Sequence, residues 1–362
     1  VSTSGRTVHV VLPGDVSDAT VPSGGNTYDR RVCVGLTAIG WTVRELPVPG
    51  SWPRPAPLAR AELGRSLAAL PDGAVVLLDG LVACGVPDVV VPEAHRLRLV
   101  VLVHMPLADD TELEPAVAAD LDARERATLH AAAAVVATSG WSARRLVDHH
   151  GLAQQRVHVA TPGTDPAPIA PGTDGAARLL CVAAVTPGKG QDVLVEALAT
   201  LTDLTWCCDL VGSLARDPSH VRAIEKAIER HGLGERVRLT GPRTGDDLVA
   251  AYAAADLLVL PSRTETYGMV VTEALARAVP VVATTAGALP HTVGRAPDGS
   301  VPGLLVPPGD VSALAAALRR WFSEPNLRNQ LRTAALRRRG TLDGWSTTTE
   351  ALAAVLATGG SA

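Results

Sequence analysis

Lysine is almost missing from this chain. Among 33 lysines and arginines it occurs only as Lys189 and Lys226. Acidic residues outnumber the basic ones, for a net charge of -4, so no broad basic surface points to nucleic acid or to an anionic membrane. No apolar run is long enough to span a bilayer, and Val1–Thr7 has no signal-peptide pattern. The five cysteines, Cys33, Cys84, Cys181, Cys207 and Cys208, are odd in number and have no metal-type spacing. They read as buried thiols in a reducing compartment, which makes a cytoplasmic protein the expectation. His149-His150 reads as a lone pair in a loop rather than a metal site.

What is present is a soluble globular composition, 47% apolar and 19% charged, in a chain of 362 residues that suits two domains with a core each. The first half alternates strand and helix. Val8 to Leu12 reads as a buried strand, Trp41 to Leu46, Ala74 to Leu78, Leu99 to Val103 and Ala134 to Ala137 as further strands, and Val157 to Ala160 closes this half. Asn26 is placed to cap a helix bearing Tyr28, Val32, Leu36 and Ile39 at helical spacing. Further helices carry Leu63, Leu67 and Leu70, then Leu121 to Ala132. Continuous apolar strands between amphipathic helices indicate a parallel sheet covered on both faces.

The Pro- and Gly-rich stretch Pro162 to Gly175 reads as a linker. A second series follows, with strands at Arg178 to Ala183, Trp206 to Val211, Val237 to Thr240, Leu257 to Leu260, Val281 to Thr284 and Leu304 to Val306. Helices are expected at Val311 to Phe322, Leu327 to Arg338 and Trp345 to Leu356. The division is therefore a first domain over 1–161, a linker over 162–175 and a second domain over 176–340. No short repeat is visible, which excludes solenoids.

The most informative string is Pro261-Ser-Arg-Thr-Glu-Thr-Tyr-Gly-Met-Val-Val-Thr-Glu-Ala-Leu-Ala-Arg-Ala-Val-Pro280. It places Glu265 in a tight loop at a helix N-terminus and Glu273 about one turn inside that helix. Free backbone N–H groups there favour an anion. Either acid alone is also an ordinary helix-capping residue. Together, two carboxylates beside an anion site suit a ligand with both hydroxyls and phosphate, such as a nucleotide sugar.

This string resembles the E-x7-E segment of the retaining glycosyltransferases of family 4, and the likeness runs over nearly the whole chain. Alanine, valine and arginine enrichment gives it the look of an actinobacterial member. The resemblance implies a GT-B fold: α/β, two Rossmann-like doubly wound parallel-sheet domains facing a central cleft. It also implies that a final helix, over 341–358, crosses back onto the first domain.

Lys189 stands in Val182-Ala-Ala-Val-Thr-Pro-Gly-Lys-Gly-Gln-Asp192, between a strand and a helix. Glycines let backbone approach a ligand, and the lysine offers charge to a phosphate; a solvated loop lysine is the plain alternative. It is not a P-loop, because Gly190 fills the slot for Ser/Thr. The segment is similar to the family's G-R-x-x-x-x-K-G loop, where Arg and Lys hold the donor diphosphate. Here Ala184 fills the arginine slot, and Arg243 or Arg263 is the candidate substitute.

Ser23-Gly24-Gly25-Asn26 is either a simple turn or, by resemblance, the glycine loop that approaches the donor phosphate. Tyr28-Asp29-Arg30-Arg31 continues the family-like pattern. His104 ends a buried strand, where open α/β folds bind ligands. It is either a structural histidine or, as the resemblance implies, the residue that touches the transferred sugar. Ala286-Gly-Ala-Leu-Pro-His291 is similar to the family's G-G-x-P-E turn, with Ala288 for Gly and His291 for Glu.

The expected function is a retaining, metal-independent transfer of a sugar from a nucleoside-diphosphate sugar to a small-molecule or natural-product acceptor, with no cofactor. His104, Glu265 and Lys189 are the candidate catalytic residues. Gly24, Gly25, Lys189, Arg243, Glu265, Thr266, Tyr267, Gly268, Met269 and Glu273 are the candidate donor-binding residues. The partners expected are donor and acceptor, without nucleic acid or a strong membrane signal, in a monomer or weak homo-oligomer. The rivals are a GT-B sugar-nucleotide 2-epimerase and a non-catalytic nucleotide-sugar-binding protein. A dinucleotide oxidoreductase is disfavoured, since no G-x-G-x-x-G follows the first strand.

Overall fold

A computed structural model describes residues 6–16, 18, 22–109, 113–173 and 175–358. Most of Val1–Thr7 and Asp174 of the expected linker lie outside them. The chain divides into two compact units. The first is built chiefly from residues 6–16, Gly24–Gly163 and the segment from Gly344 on, the second chiefly from Thr164–Asp343.

The first unit holds β1 (Thr7–Pro13), β2 (Thr42–Val48), β3 (Val75–Asp79), β4 (Arg98–Val103), β5 (Ala134–Ala137) and β6 (Val157–Val159). They form one parallel sheet in the order β2-β1-β3-β4-β5-β6. Alternate residues of β1 serve opposite faces, as strand geometry requires. Val11 joins one apolar cluster and Val8, Val10 and Leu12 the other. The inner strands β1, β3, β4 and β5 are buried on both faces, which is why they read as apolar runs, whereas the edge strands β2 and β6 stay exposed or half-buried along most of their length.

The second unit holds β7 (Arg178–Val182), β8 (Cys207–Val211), β9 (Val237–Gly241), β10 (Leu257–Leu260), β11 (Val281–Thr284) and β12 (Gly303–Val306). Their order is β12-β11-β10-β7-β8-β9, again all parallel. This is the doubly wound arrangement, in which the strand order reverses between β7 and β10. The helices Val311–Ser323 and Pro325–Arg339 pack in this unit.

The last helix, Trp345–Ala357, belongs to the first unit and packs on the helix Gly24–Ala38. A side chain at Gly35 would collide with Thr349, so glycine permits the close approach. Arg98 donates to the carbonyls of Val355 and Leu356 at 2.9 Å each, which fastens the end of that helix to β4.

Three local expectations change. The helix at Gly24 opens two residues before Asn26, so Asn26 sits inside the first turn, with its amide reaching Asp15 O at 3.4 Å. His149 and His150 are not in a loop. They end the helix Gly140–His150, which Ser139 caps and Gly151 terminates at φ +68°.

The third change concerns the Pro/Gly stretch, whose backbone is held to the second unit rather than free. Buried Asp256 accepts from Thr173 N at 2.8 Å, Thr173 Oγ1 at 2.5 Å and Arg178 N at 3.0 Å. Ala170 N and Gly172 N donate to Arg277 O and Ala253 O. Backbone polar groups leaving a sheet need partners, and here one carboxylate supplies several.

Candidate active site

Lys189 and Glu265 lie on the two loops that leave the second sheet at its reversal point. The first loop follows β7, forms a short 3-10 turn at Pro187–Lys189, and opens the helix Gln191–Ala199. The second follows β10 and opens the helix Met269–Ala276. Ligands of open α/β sheets bind at such carboxyl-end crevices. Two left-handed glycines shape the loops, Gly190 at φ +70° and Gly268 at φ +88°. A side chain at Gly190 would fall on the Pro261 carbonyl, so the two loops run in direct contact.

Several bonds stitch the loops together. Arg263 N donates to Gly188 O at 2.8 Å, and its guanidinium reaches Pro187 O. The same guanidinium clasps Asp192 through both oxygens at 2.8 and 2.5 Å. Against the opposing effect of burial, this clasp holds the Asp192 carboxyl below its usual range. Lys189 Nζ then lies 2.6 Å from Glu265 Oε1, which also accepts from Ser262 Oγ at 3.0 Å. Glu265 is largely buried, whereas Lys189 is about one-third exposed, at 34%. An ammonium has three donors, so Lys189 keeps capacity for an anion.

Glu273 occupies the fifth position of the helix Met269–Ala276. Tyr252 Oη donates to Glu273 Oε2 at 2.7 Å, and Arg277 lies over the Tyr252 ring at 4.7 Å. Burial raises the Glu273 carboxyl above its usual range, with the Tyr252 hydrogen bond and the Arg277 charge working against it. Thr266, Tyr267, Gly268 and Met269 form the turn between the two acids, and Thr292 Oγ1 donates to Tyr267 O at 2.6 Å to hold it. The helix after Gly268 has N–H groups without intrahelical acceptors, so its start is suited to negative charge.

The departures from the family pattern have a local account. Gly287 has φ +55°, and a side chain there would strike the Glu265 carbonyl, which accepts from Ala288 N at 2.9 Å. Glycine is therefore needed at 287. Ala288 is buried at 1%, so the methyl is accommodated. His291 is exposed in the short helix Leu289–Val293. Arg263 is engaged by Asp192, which gives it a bracing place. Arg243 makes no hydrogen bond or ion pair among the described residues, but it follows β9, two strands and roughly 10 Å from β7.

In the first unit, His104 follows β4 next to Gly25, where a side chain would meet the imidazole Cδ2 at 3.2 Å. Gly24 and Gly25 open the helix Gly24–Ala38, and Tyr28 meets His104 edge-on at 5.2 Å between ring centres. His104 Nε2 lies 2.9 Å from Asp29 Oδ1 and 3.8 Å from Asp79 Oδ2. Burial lowers the imidazole pKa, but the charge and hydrogen bond of Asp29, then Asp79, push it up to about 9.

Sequence reasoning missed Asp29 and Asp79 as site residues. Each carried a signal. Asp29 shares the apolar helix stripe of Val32, Cys33 and Leu36, where an unpaired acid is out of place. Asp79 ends a buried strand beside the order reversal between β1 and β3. Histidine and acid also meet at Asp122, His149 and His150, where His149 Nε2 sits on Asp122 at 2.5 Å and His150 Nε2 on Glu125 at 3.1 Å. Those bonds join the helices Pro115–Ala131 and Gly140–His150.

Comparison with known proteins agrees with this fold. Over its full length the fold is similar to sucrose-phosphate synthase from Thermosynechococcus elongatus, with a TM-score of 0.78, 22% identity and 97% and 98% of the two chains covered. It is also similar to HepE from Anabaena in complex with UDP and glucose, with a TM-score of 0.74, 19% identity and 98% and 100% covered. Both likenesses concern the GT-B fold. A D-inositol 3-phosphate glycosyltransferase 1 from Catenulispora acidiphila is 34% identical over 292 residues, 75% of this chain and 66% of the relative. One from Kineococcus radiotolerans is 32% identical over 250 residues, 63% of this chain and 57% of the relative. The chain thus spans between 57% and 66% of these relatives' length. Residues 170–338, which carry Lys189, Glu265 and Glu273, match the model of glycosyl transferases group 1. This segment is thus a glycosyl transferases group 1 domain.

Proposed function

We propose that this protein is a retaining, metal-independent glycosyltransferase that moves a sugar from a nucleoside-diphosphate sugar to a small-molecule or natural-product acceptor. The observation that carries the reading is the 2.6 Å approach of Lys189 Nζ to Glu265 Oε1 at the reversal point of the second sheet. A cation for a diphosphate and a carboxylate for sugar hydroxyls meet there, and a second carboxylate, Glu273, lies about one turn inside the helix that follows.

In this reading Lys189 neutralises the diphosphate, with N–H groups of the Met269–Ala276 helix start as further donors. Glu273 accepts the ribose hydroxyls, its rotamer fixed by Tyr252. Glu265 accepts hydroxyls of the sugar. The bond between anomeric carbon and phosphate oxygen breaks, and the bond from that carbon to the acceptor oxygen forms on the same face. The acceptor's proton passes to the departing phosphate oxygen. Catalysis is then orientation and stabilisation of leaving-group charge. Lys189 and helix N–H groups supply the positive charge that a divalent ion would otherwise bring, which supports metal independence.

The named activity of the curated relatives makes a phosphorylated cyclitol the first acceptor to try, and the UDP held by HepE makes uridine the first base. The test is a panel of nucleoside-diphosphate sugars, with and without D-inositol 3-phosphate and in excess EDTA, read by released nucleoside diphosphate. Acceptor-dependent release supports transfer. Binding without release favours a silent binding protein, and sugar-nucleotide isomer without release favours the epimerase.

A further inference from the structure

The reversal point of the first sheet carries a buried group that donor binding leaves unexplained. Asp79 ends β3, His104 follows β4, and Asp29 faces both from the helix Gly24–Ala38. Asp29 and Asp79 are only 2% and 4% exposed. Asp79 Oδ1 accepts from Leu81 N at 2.6 Å. A carboxyl oxygen of each acid and a ring nitrogen of His104 lie within 4.8 Å of one another, and Asp29 Oδ2 is buried without a donor. Two ionised carboxylates so placed would repel one another out of water and leave that acceptor unsatisfied.

We infer that Asp29 and Asp79 form a proton-sharing carboxyl pair, with the proton on Asp79 and the charge on Asp29, that holds His104 as an imidazolium. The Asp79 O–H then gives the Asp29 carboxylate the donor it lacks. Asp29 Oδ1, at 2.9 Å, takes the Nε2–H of His104. Burial and then the Asp29 charge push Asp79 up to about 8, in the same direction. The other titratable groups around the cluster stay neutral near pH 7. Burial raises the Tyr28 hydroxyl far up, Cys33 to about 12 and Cys84 well above its usual value.

The consequence is a fixed positive charge at the end of β4. Both ring nitrogens of an imidazolium are donors. Nε2–H is engaged by Asp29, and Nδ1, which has no partner among the described residues, is left for a substrate oxygen. That last role rests on the proposed glycosyl transfer; the charge state does not. Asp29 and Asp79 act through His104 and are positioning residues.

The test is a titration of the intact protein labelled at histidine Cε1, followed by NMR, with His104→Gln identifying the His104 signal among the ten histidines. His104 is expected to titrate two pH units or more above an ordinary histidine. Asp29→Asn should bring it down by about two units. Asp79→Asn is the discriminating variant: its amide still caps Leu81 and donates to Asp29, as the protonated acid does, so His104 should stay high. An ordinary wild-type value overturns the inference. So does an Asp79→Asn fall as large as that of Asp29→Asn, which would mean Asp79 is ionised. Because the readout needs no turnover, a protein that transfers no sugar but titrates this way contradicts the functional reading alone.

Discussion

Lys189 and Glu265 are 76 residues apart in sequence and 2.6 Å apart in space. The parallel sheet makes the meeting possible, because β7 and β10 are neighbours that release their loops at the same edge. If Lys189 faces leaving-group charge, Lys189→Ala should reduce turnover by about 10²- to 10³-fold while the fold persists. Steady-state rates with circular dichroism as the folding control decide this. Near-normal turnover would remove the lysine from the chemistry.

Arg263 is expected to act on the loop rather than on the ligand. Single and double replacement of Arg263 and Asp192 by alanine should then be non-additive in donor affinity, with a coupling of about 0.5–3 kcal/mol. A direct phosphate contact instead makes Arg263→Ala costly while Asp192→Ala is neutral. Calorimetric titration with nucleoside diphosphate separates the two patterns.

Glu273→Ala should weaken donor binding by about 1–3 kcal/mol, the scale of a charged hydrogen bond. The acid dependence follows from the raised Glu273 carboxyl. Its ionised form, the better acceptor, is present above its own pKa and lost as pH falls through it. Affinity should therefore drop at a higher pH than for an ordinary glutamate, and Tyr252→Phe, which removes a bond to the ionised form, should move that drop higher still. Unchanged affinity in folded Glu273→Ala contradicts the role.

Gly287→Ala tests the turn that fixes Glu265. The new methyl would meet the Glu265 carbonyl from a left-handed backbone, a strain of about 1–3 kcal/mol before any displacement. A lowered melting temperature and weakened sugar discrimination are expected. A variant equal to wild type in both would mean that the turn relaxes freely.

Much of this architecture is legible in the sequence. Each of the twelve strands among the described residues overlaps a strand read from sequence, with ends differing by at most two residues. Apolar runs are unambiguous when both faces of a sheet are buried. Short helices such as Gly80–Ala83 and Pro87–Val90 escaped notice, since four residues carry no period. Lys189, Glu265 and Glu273 stand out through spacing and resemblance. Asp29, Asp79, Asp192 and Tyr252 do not, because their partners are distant in sequence and only the fold brings them together. Asp256 shows the same limit: the end of a stretch composed like a linker is held by a buried carboxylate 83 residues from Thr173.

The central claim is retaining transfer from a nucleoside-diphosphate sugar. An inverting enzyme needs a base for an acceptor arriving opposite the leaving group. Here Glu265 is engaged by Lys189 and Ser262, and Glu273 by Tyr252. The most direct measurement is the anomeric coupling, by NMR, of the first product formed from an α-linked donor. The account predicts the small coupling of an α-linked product. The large coupling of a β-linked product would contradict it.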